Sequence, residues 1–462
     1  MSLGRKPQER QQQFWIETDS LPDVPRHVFY DKLNALLAEG DFDRWIEETC
    51  EPCYAQKMGR PGIPPGIYFR MLFIGYFEGI DSQRGIAWRC ADSRSLSAFL
   101  GYTINEETPD HSSLSRIAAR IPLDVHNEVF TFVLRLADEK GLLTNKTAAV
   151  DSTFLEANAA MKSIVRKDTG DDWKTYVRGL AEAAGVPIEN DNDLRKFDKK
   201  RKDKKVSNDE WESPNDPDSR IMKMKDGTTH LSYKAEHTIA LDSEFILEAA
   251  IYHGDEADTQ TLAESLQRAA SNLEQAGVVS EIEEVVADKG YHANETLVEC
   301  QELGTYGQRT YIAESDSPYE RRWTDKAEEC EAAYRGNRRR IKGDRGKRLQ
   351  KQRSERVERS FAHTCETGGA RRSWLRGIEK VTKRYKMVAA ARNLGLIMLK
   401  LFGVGKPRGL QGLAALLAAL ISGLKRFRNR FWRLLDRSGE FLSVTPLPQK
   451  FFSRRSRTLA AI

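Results

Sequence analysis

A chain of 462 residues, 40% hydrophobic and 31% charged, is too long for one ordinary core and reads as a soluble globular protein of two or three domains with charged insertions. Its formal net charge of +5 is small for that length, so local patches of charge say more about partners than the sum does. Six scattered cysteines and the lack of a charged-then-apolar leader point to a reducing, cytosolic setting. Cys50 and Cys53 have zinc-knuckle spacing, but no second pair or paired histidines follow them, which favours free buried thiols.

Residues 1–27 are polar and proline-bearing, and they read as a loosely ordered arm. A helical domain is expected over 28–141. Residues 28–37 repeat apolar side chains at helical spacing and stop at Gly40. The apolar run 67–77, behind Pro64 and Pro65, is long enough for a buried helix and too short to cross a bilayer. Short helices are expected at 82–90, 93–100 and 111–121, the last N-capped by Asp110, and a longer one at 123–140. Short helices joined by tight turns suit a helix-turn-helix reader of DNA or an ordinary helical bundle.

The second domain, 142–402, opens on a β-prone run that ends in an acid, Val150-Asp151-Ser152-Thr153. Residues 161–226 then crowd charges of both signs, with a basic block at 199–205, and read as an insertion that packs poorly on its own and touches DNA. Strands at 229–240 and 245–252 form a hairpin across Asp242-Ser243-Glu244, and 259–275 is helical by period. The run from Ile282 to Ala287 is a buried strand carrying Asp288 at its C-terminal end, with Gly290 allowing the turn beyond. A strand at 310–313 follows, then a strongly basic stretch at 335–359 that suits phosphate or a solvated helix face. An apolar helix at 385–402 leads into a basic and apolar tail, 403–462, read as packing or loosely ordered, with a membrane-surface or DNA-backbone role conceivable.

Strand, hairpin, helix, strand, strand, helix is the order of an α/β, ribonuclease-H-like mixed sheet flanked by helices, here preceded by an all-α domain. Asp151 ends the first strand, Asp288 the fourth, and Glu358 lies on a late helix. Three acids on separate elements suit two-metal phosphodiester chemistry, in which ions roughly 3.5–4 Å apart activate the attacking oxygen and steady the leaving one. Hard oxygen donors without paired His or Cys favour Mg²⁺, with Mn²⁺ as a substitute.

Val150-Asp151-Ser152-Thr153, Ala287-Asp288-Lys289-Gly290-Tyr291 and Arg353-Ser354-Glu355-Arg356-Val357-Glu358-Arg359-Ser360-Phe361 resemble the three catalytic blocks of bacterial insertion-sequence transposases of the DDE superfamily. The segment Pro109-Asp110-His111-Ser112-Ser113-Leu114-Ser115-Arg116, with the helical region before it, is similar to their N-terminal domain. The resemblance implies binding of terminal inverted repeats in double-stranded DNA, nicking that frees 3′-hydroxyls, and their joining to target DNA. It implies a homodimer or higher assembly, a nucleoid-associated bacterial cytoplasmic location and no membrane partner. By carry-over Asp151, Asp288 and Glu358 hold the metal, Glu358 being preferred to Glu355 because it centres the third block. Lys289, Tyr291, Arg353, Arg356 and Arg359 are the DNA contacts, although Lys289, Tyr291 and Arg356 also suit structural roles. The chain departs from the Tyr-Arg-Glu-Lys signature of some relatives, where Lys351, Ser354 and Cys365 stand in place of the tyrosine, arginine and lysine. A non-catalytic DNA-binding relative and a metal-dependent nuclease are the alternatives; a nuclease cuts without joining.

Overall fold

The first helices form where apolar residues recur with the helical period. In the computed structural model, α1 (Val28–Glu39) buries Phe29, Leu33, Leu36 and Leu37 along one side. α2 (Phe42–Cys50), which the sequence reading passed over, does the same with Phe42, Ile46 and Cys50 in a short, charge-rich segment. α3 (Pro65–Glu78) is buried on all sides, and its one arginine, Arg70, is neutralised by Asp43 and donates to Asn34 at 3.2 Å. α4 (Gln83–Asp92), α5 (Arg94–Phe99), α6 (His111–Arg120) and α7 (Leu123–Glu139) follow. Asp110 caps α6 as expected, accepting the Ser113 N–H at 2.6 Å.

The structure describes residues 27–408 except 56–58, 60–61, 104, 203–206, 225–226, 316–321 and 325. The expected arm (to residue 26), part of the basic block and the tail beyond 408 lie outside the described residues. The described residues up to Pro407 make one compact unit. No helix among the described residues is long and apolar enough to cross a membrane.

The α/β part comprises β1 (Thr147–Glu156), β2 (Val165–Arg166), α8 (Trp173–Ala183), α9 (Asp191–Lys200), β3 (Trp211–Glu212), β4 (Arg220–Lys223), β5 (Thr229–Ala240), β6 (Ile246–His253) and α10 (Asp258–Gln275). It continues through β7 (Glu284–Ala287), α11 (Asn294–Glu302), β8 (Arg309–Ile312), α12 (Glu328–Lys342), α13 (Asp344–Ala362) and α14 (Ile378–Phe402). The main sheet runs β5-β1-β7-β8, with β6 and β4 sharing the outer edge of β5. β5 is antiparallel to β1, while β1, β7 and β8 are mutually parallel. This is the ribonuclease-H-like mixed sheet, preceded by an all-helical region, that the sequence led us to expect.

The described residues of 161–226 pack better than their composition suggests. Val177, Ala181, Leu194 and Trp211 are buried together with the short β2/β3 pair, and the Arg166 guanidinium stacks 4.6 Å from the Tyr176 ring and 5.6 Å from Trp211. Stacked aromatic and guanidinium groups supply the packing that few aliphatic side chains could. Asp216 ties the segment down, accepting from the Tyr233 hydroxyl at 2.6 Å and the Gly377 N–H at 2.9 Å.

Candidate active site

Strand register brings two of the acids together. Thr147, Ala148 and Ala149 of β1 stand beside Glu284, Val285 and Val286 of β7. Two residues further along each parallel strand come Asp151 and Asp288, level with one another and on the same face by the two-residue period. Asp151 also faces His237 across β5, and His237 Nδ1 lies 2.8 Å from the Ser360 hydroxyl of α13. That face of the sheet is therefore the one α13 covers.

Asp151 is half-buried. One carboxylate oxygen accepts the Ser152 N–H at 2.9 Å and the other accepts Arg353 Nη1 at 2.6 Å. Burial, reinforced by the like charge of Asp288, holds its carboxyl above the usual aspartate range even though Arg353 opposes this. Asp288 caps the turn after β7 by accepting the Gly290 N–H at 2.7 Å. A Cβ on Gly290 would lie 2.7 Å from Asp258 Oδ2 and 3.0 Å from Asp288 Oδ1, so close approach is what requires glycine there.

α13 crosses the sheet from β8 to β5. Gln350 donates to the carbonyls of Ala287 (2.9 Å) and Tyr311 (2.6 Å), Arg353 reaches β1, and Ser360 reaches β5. One flank of the helix faces the start of β1: Arg345 pairs with Glu284 at 2.5 Å, Arg356 bonds to the Leu241 carbonyl, and Arg359 holds Glu244 at 2.8 Å. At 100° per residue, the opposite flank carries Lys347, Lys351, Ser354 and Glu358 as one exposed stripe. Glu355 instead pairs with Arg359 at 2.5 Å, which turns it toward the rear flank. Glu358 stays exposed, 3.5 Å from Ser354 Oγ. Among the described residues no group of three His, Cys, Asp or Glu is gathered closely enough to hold a metal ion, so Asp151, Asp288 and Glu358 are not drawn into one cluster.

The five expected DNA contacts separate. Lys289 is exposed and in no ion pair among the described residues. Tyr291 is fully buried and donates to Glu236 at 2.8 Å. Arg353, Arg356 and Arg359 are each engaged with acids of the chain. Sequence reading missed the support behind the pair. Ser152 donates to Asp258 at 3.0 Å, Lys234 lies 2.9 Å from the same oxygen, and Glu236 accepts from Thr261 (2.8 Å), Ser265 (2.5 Å) and Tyr291. The signal for it was present as charged residues inside an otherwise strand-like run at Lys234 and Glu236.

Two carboxylates level on adjacent strands suit Mg²⁺, which keeps several waters and takes one or two protein carboxylates together with substrate phosphate oxygens. The donor set contains only hard oxygen and excludes the nitrogen and sulfur ligands that zinc prefers.

The sequence places Asp151 at the end of a strand, but it lies midway along β1, which pairs with β5 as far as Glu156, while Asp288 follows the last residue of β7; two acids set level in this way on a ribonuclease-H-like sheet suit chemistry on phosphodiesters. The model of a Transposase domain (DUF772) matches residues 19–120, and that of a Transposase DDE domain matches residues 315–398. Both matches on one chain, in this order, support an insertion-sequence DDE transposase. The second match includes Glu355 and Glu358, whereas Asp151 and Asp288 lie outside both ranges. Neither a curated protein nor a solved structure matches the chain. The family implies DNA as partner, and its members ordinarily work with divalent metal.

Proposed function

We propose that this transposase recognises the terminal inverted repeats of its element, cleaves a strand at each end and joins the freed 3′-hydroxyls to target DNA. The observation that carries the reading is that strand register sets Asp151 of β1 level with Asp288 just past β7, beneath the α13 helix that carries Glu358. Asp151 and Asp288 would hold divalent metal and Glu358 would complete the set. When bound, the metal would activate the attacking oxygen and steady the leaving one. The chain's own part is to place the phosphodiester. Lys289 and the exposed Lys347 and Lys351 would grip backbone phosphates, with the two α13 lysines in line with Glu358. Half-buried beneath α13, Asp151 is oriented by the Ser152 N–H and by Arg353.

The test is a cleavage and joining assay on DNA bearing the flanking repeats, with Mg²⁺, Mn²⁺ or EDTA. Asp151→Ala, Asp288→Ala and Glu358→Gln should fall to background in cleavage while still binding the ends, and Glu355→Gln should keep cleaving. Activity lost with Glu355→Gln and retained with Glu358→Gln would move the third ligand. Cutting without joining would make the protein a nuclease, and end binding without cutting under any metal would make it a non-catalytic binder.

A further inference from the structure

Arg353 occupies a position that the reaction, as proposed above, needs for something else. Its Nη1 lies 2.6 Å from Asp151 Oδ2, and the two side chains are only 13% and 26% exposed. The guanidinium is held from behind. Its Nε donates to Gln350 Oε1 at 3.2 Å, and the Gln350 amide is pinned to the carbonyls of Ala287 and Tyr311, at the ends of β7 and β8. The rigid ends of two strands thus fix Gln350, Gln350 fixes Arg353, and Arg353 neutralises Asp151. A planar guanidinium held at both ends is a mounted group, unlike a surface ion pair whose partners are free to wander.

Mg²⁺ takes a carboxylate oxygen at about 2.0–2.1 Å, and a guanidinium already seated on Asp151 Oδ2 would both crowd and repel an ion approaching that oxygen. Leaving Asp151 and Asp288 together with neither cation would bring two like charges close in a half-buried place. We propose that Arg353 is the resident counter-ion of the aspartate pair, displaced from Asp151 when metal loads, and that the released guanidinium then binds a non-bridging oxygen of the substrate phosphate. The proposal rests on Asp151 being a metal ligand.

The experiment is direct titration of the full-length protein with Mn²⁺ in the absence of DNA, following free Mn²⁺ by electron paramagnetic resonance, alongside melting temperatures in EDTA and in saturating Mn²⁺. Arg353→Gln should bind Mn²⁺ about tenfold more tightly, melt lower than wild type in EDTA, and gain more from added Mn²⁺. Removing any nearby positive charge could raise affinity through space, so Gln350→Ala, which keeps the charge and removes only its mount, is the deciding variant. It should also bind Mn²⁺ more tightly, and it carries the test alone if Arg353→Gln does not fold. Unchanged or weaker affinity in Gln350→Ala, while Asp151→Asn abolishes binding, would overturn the counter-ion proposal and leave the site reading intact. Wild-type affinity in Asp151→Asn would remove Asp151 from the metal and take both readings with it.

Discussion

Burial works against charge at Asp151 and at His126, with consequences of opposite kind. At Asp151 the unfavourable charge is the one the proposed chemistry uses, and Arg353 compensates it until another cation arrives. His126, on the buried face of α7, is 1% exposed; its Nε2 lies 3.2 Å from the Tyr68 hydroxyl and its Nδ1 2.8 Å from the Pro122 carbonyl. Burial lowers its pKa to about 4. The unfolded chain therefore takes up a proton near the ordinary histidine value of 6.5 while the folded chain resists it down to about 4. The stability this provides is complete above the unfolded value and is lost as pH falls through that window. Between pH 7 and 4.5 the loss from this one group is on the order of 2 kcal/mol. Urea unfolding at the two pH values should show that component in wild type and not in His126→Gln; equal losses in both would mean His126 is not held neutral by the fold.

The turn after β7 and the exposed flank of α13 are the elements that shape the edge of the site. The turn is tight because Asp258 and Asp288 close on Gly290 from both sides. Gly290→Ala must push one carboxylate away, and overpacking of this kind costs about 1–3 kcal/mol. Weaker Mn²⁺ binding should accompany the lost stability; a variant with unaltered urea midpoint and unaltered Mn²⁺ affinity would show the turn to be slack. On α13, Lys347 and Lys351 stand one turn apart in line with Glu358, exposed and in no ion pair among the described residues. If both meet phosphates, replacing both by alanine should lower the slope of log affinity against log salt by about 2, since each contact contributes about 0.9. Binding measured from 50 to 200 mM salt would decide it, and an unchanged slope would place the DNA elsewhere.

Across the whole molecule, α14 joins the two regions that the sequence divides at residue 141. One side lies along β6, where Lys386 pairs with Glu248 at 2.5 Å and Asn393 bridges both backbone groups of Ile246. Another side packs against α3 and α7, and residues such as Ala389, Leu394 and Ile397 are fully buried between them. A fragment of residues 142–407 would expose that apolar surface to water. We expect it to be aggregated or to unfold without a cooperative transition, whereas the full chain unfolds cooperatively. A well-behaved fragment with a sharp melt would show that the helical region contributes little to the catalytic fold.

The sequence by itself determined the local elements and the chemical kind of the site. Periodicity marks α1, α3, α7, β1 and the β5/β6 hairpin because each is stabilised by a pattern read over neighbouring residues, and hard acids at the ends of apolar strands are visible one strand at a time. α2 and the folded part of 161–226 escaped because they are short and charged, and their packing draws on partners distant in sequence or on stacking of Arg166 with aromatic rings. Tertiary structure alone decided how the charges combine. It set Asp151 level with Asp288 through strand register. It paired Arg353, Arg356 and Arg359 with acids up to 202 residues away along the chain. It also drew Tyr291 into the interior with Glu236. A basic residue in a sequence is only a charge looking for a partner, and which partner it meets depends on the face of the helix and the strand beneath it. Neither is fixed until the chain has folded.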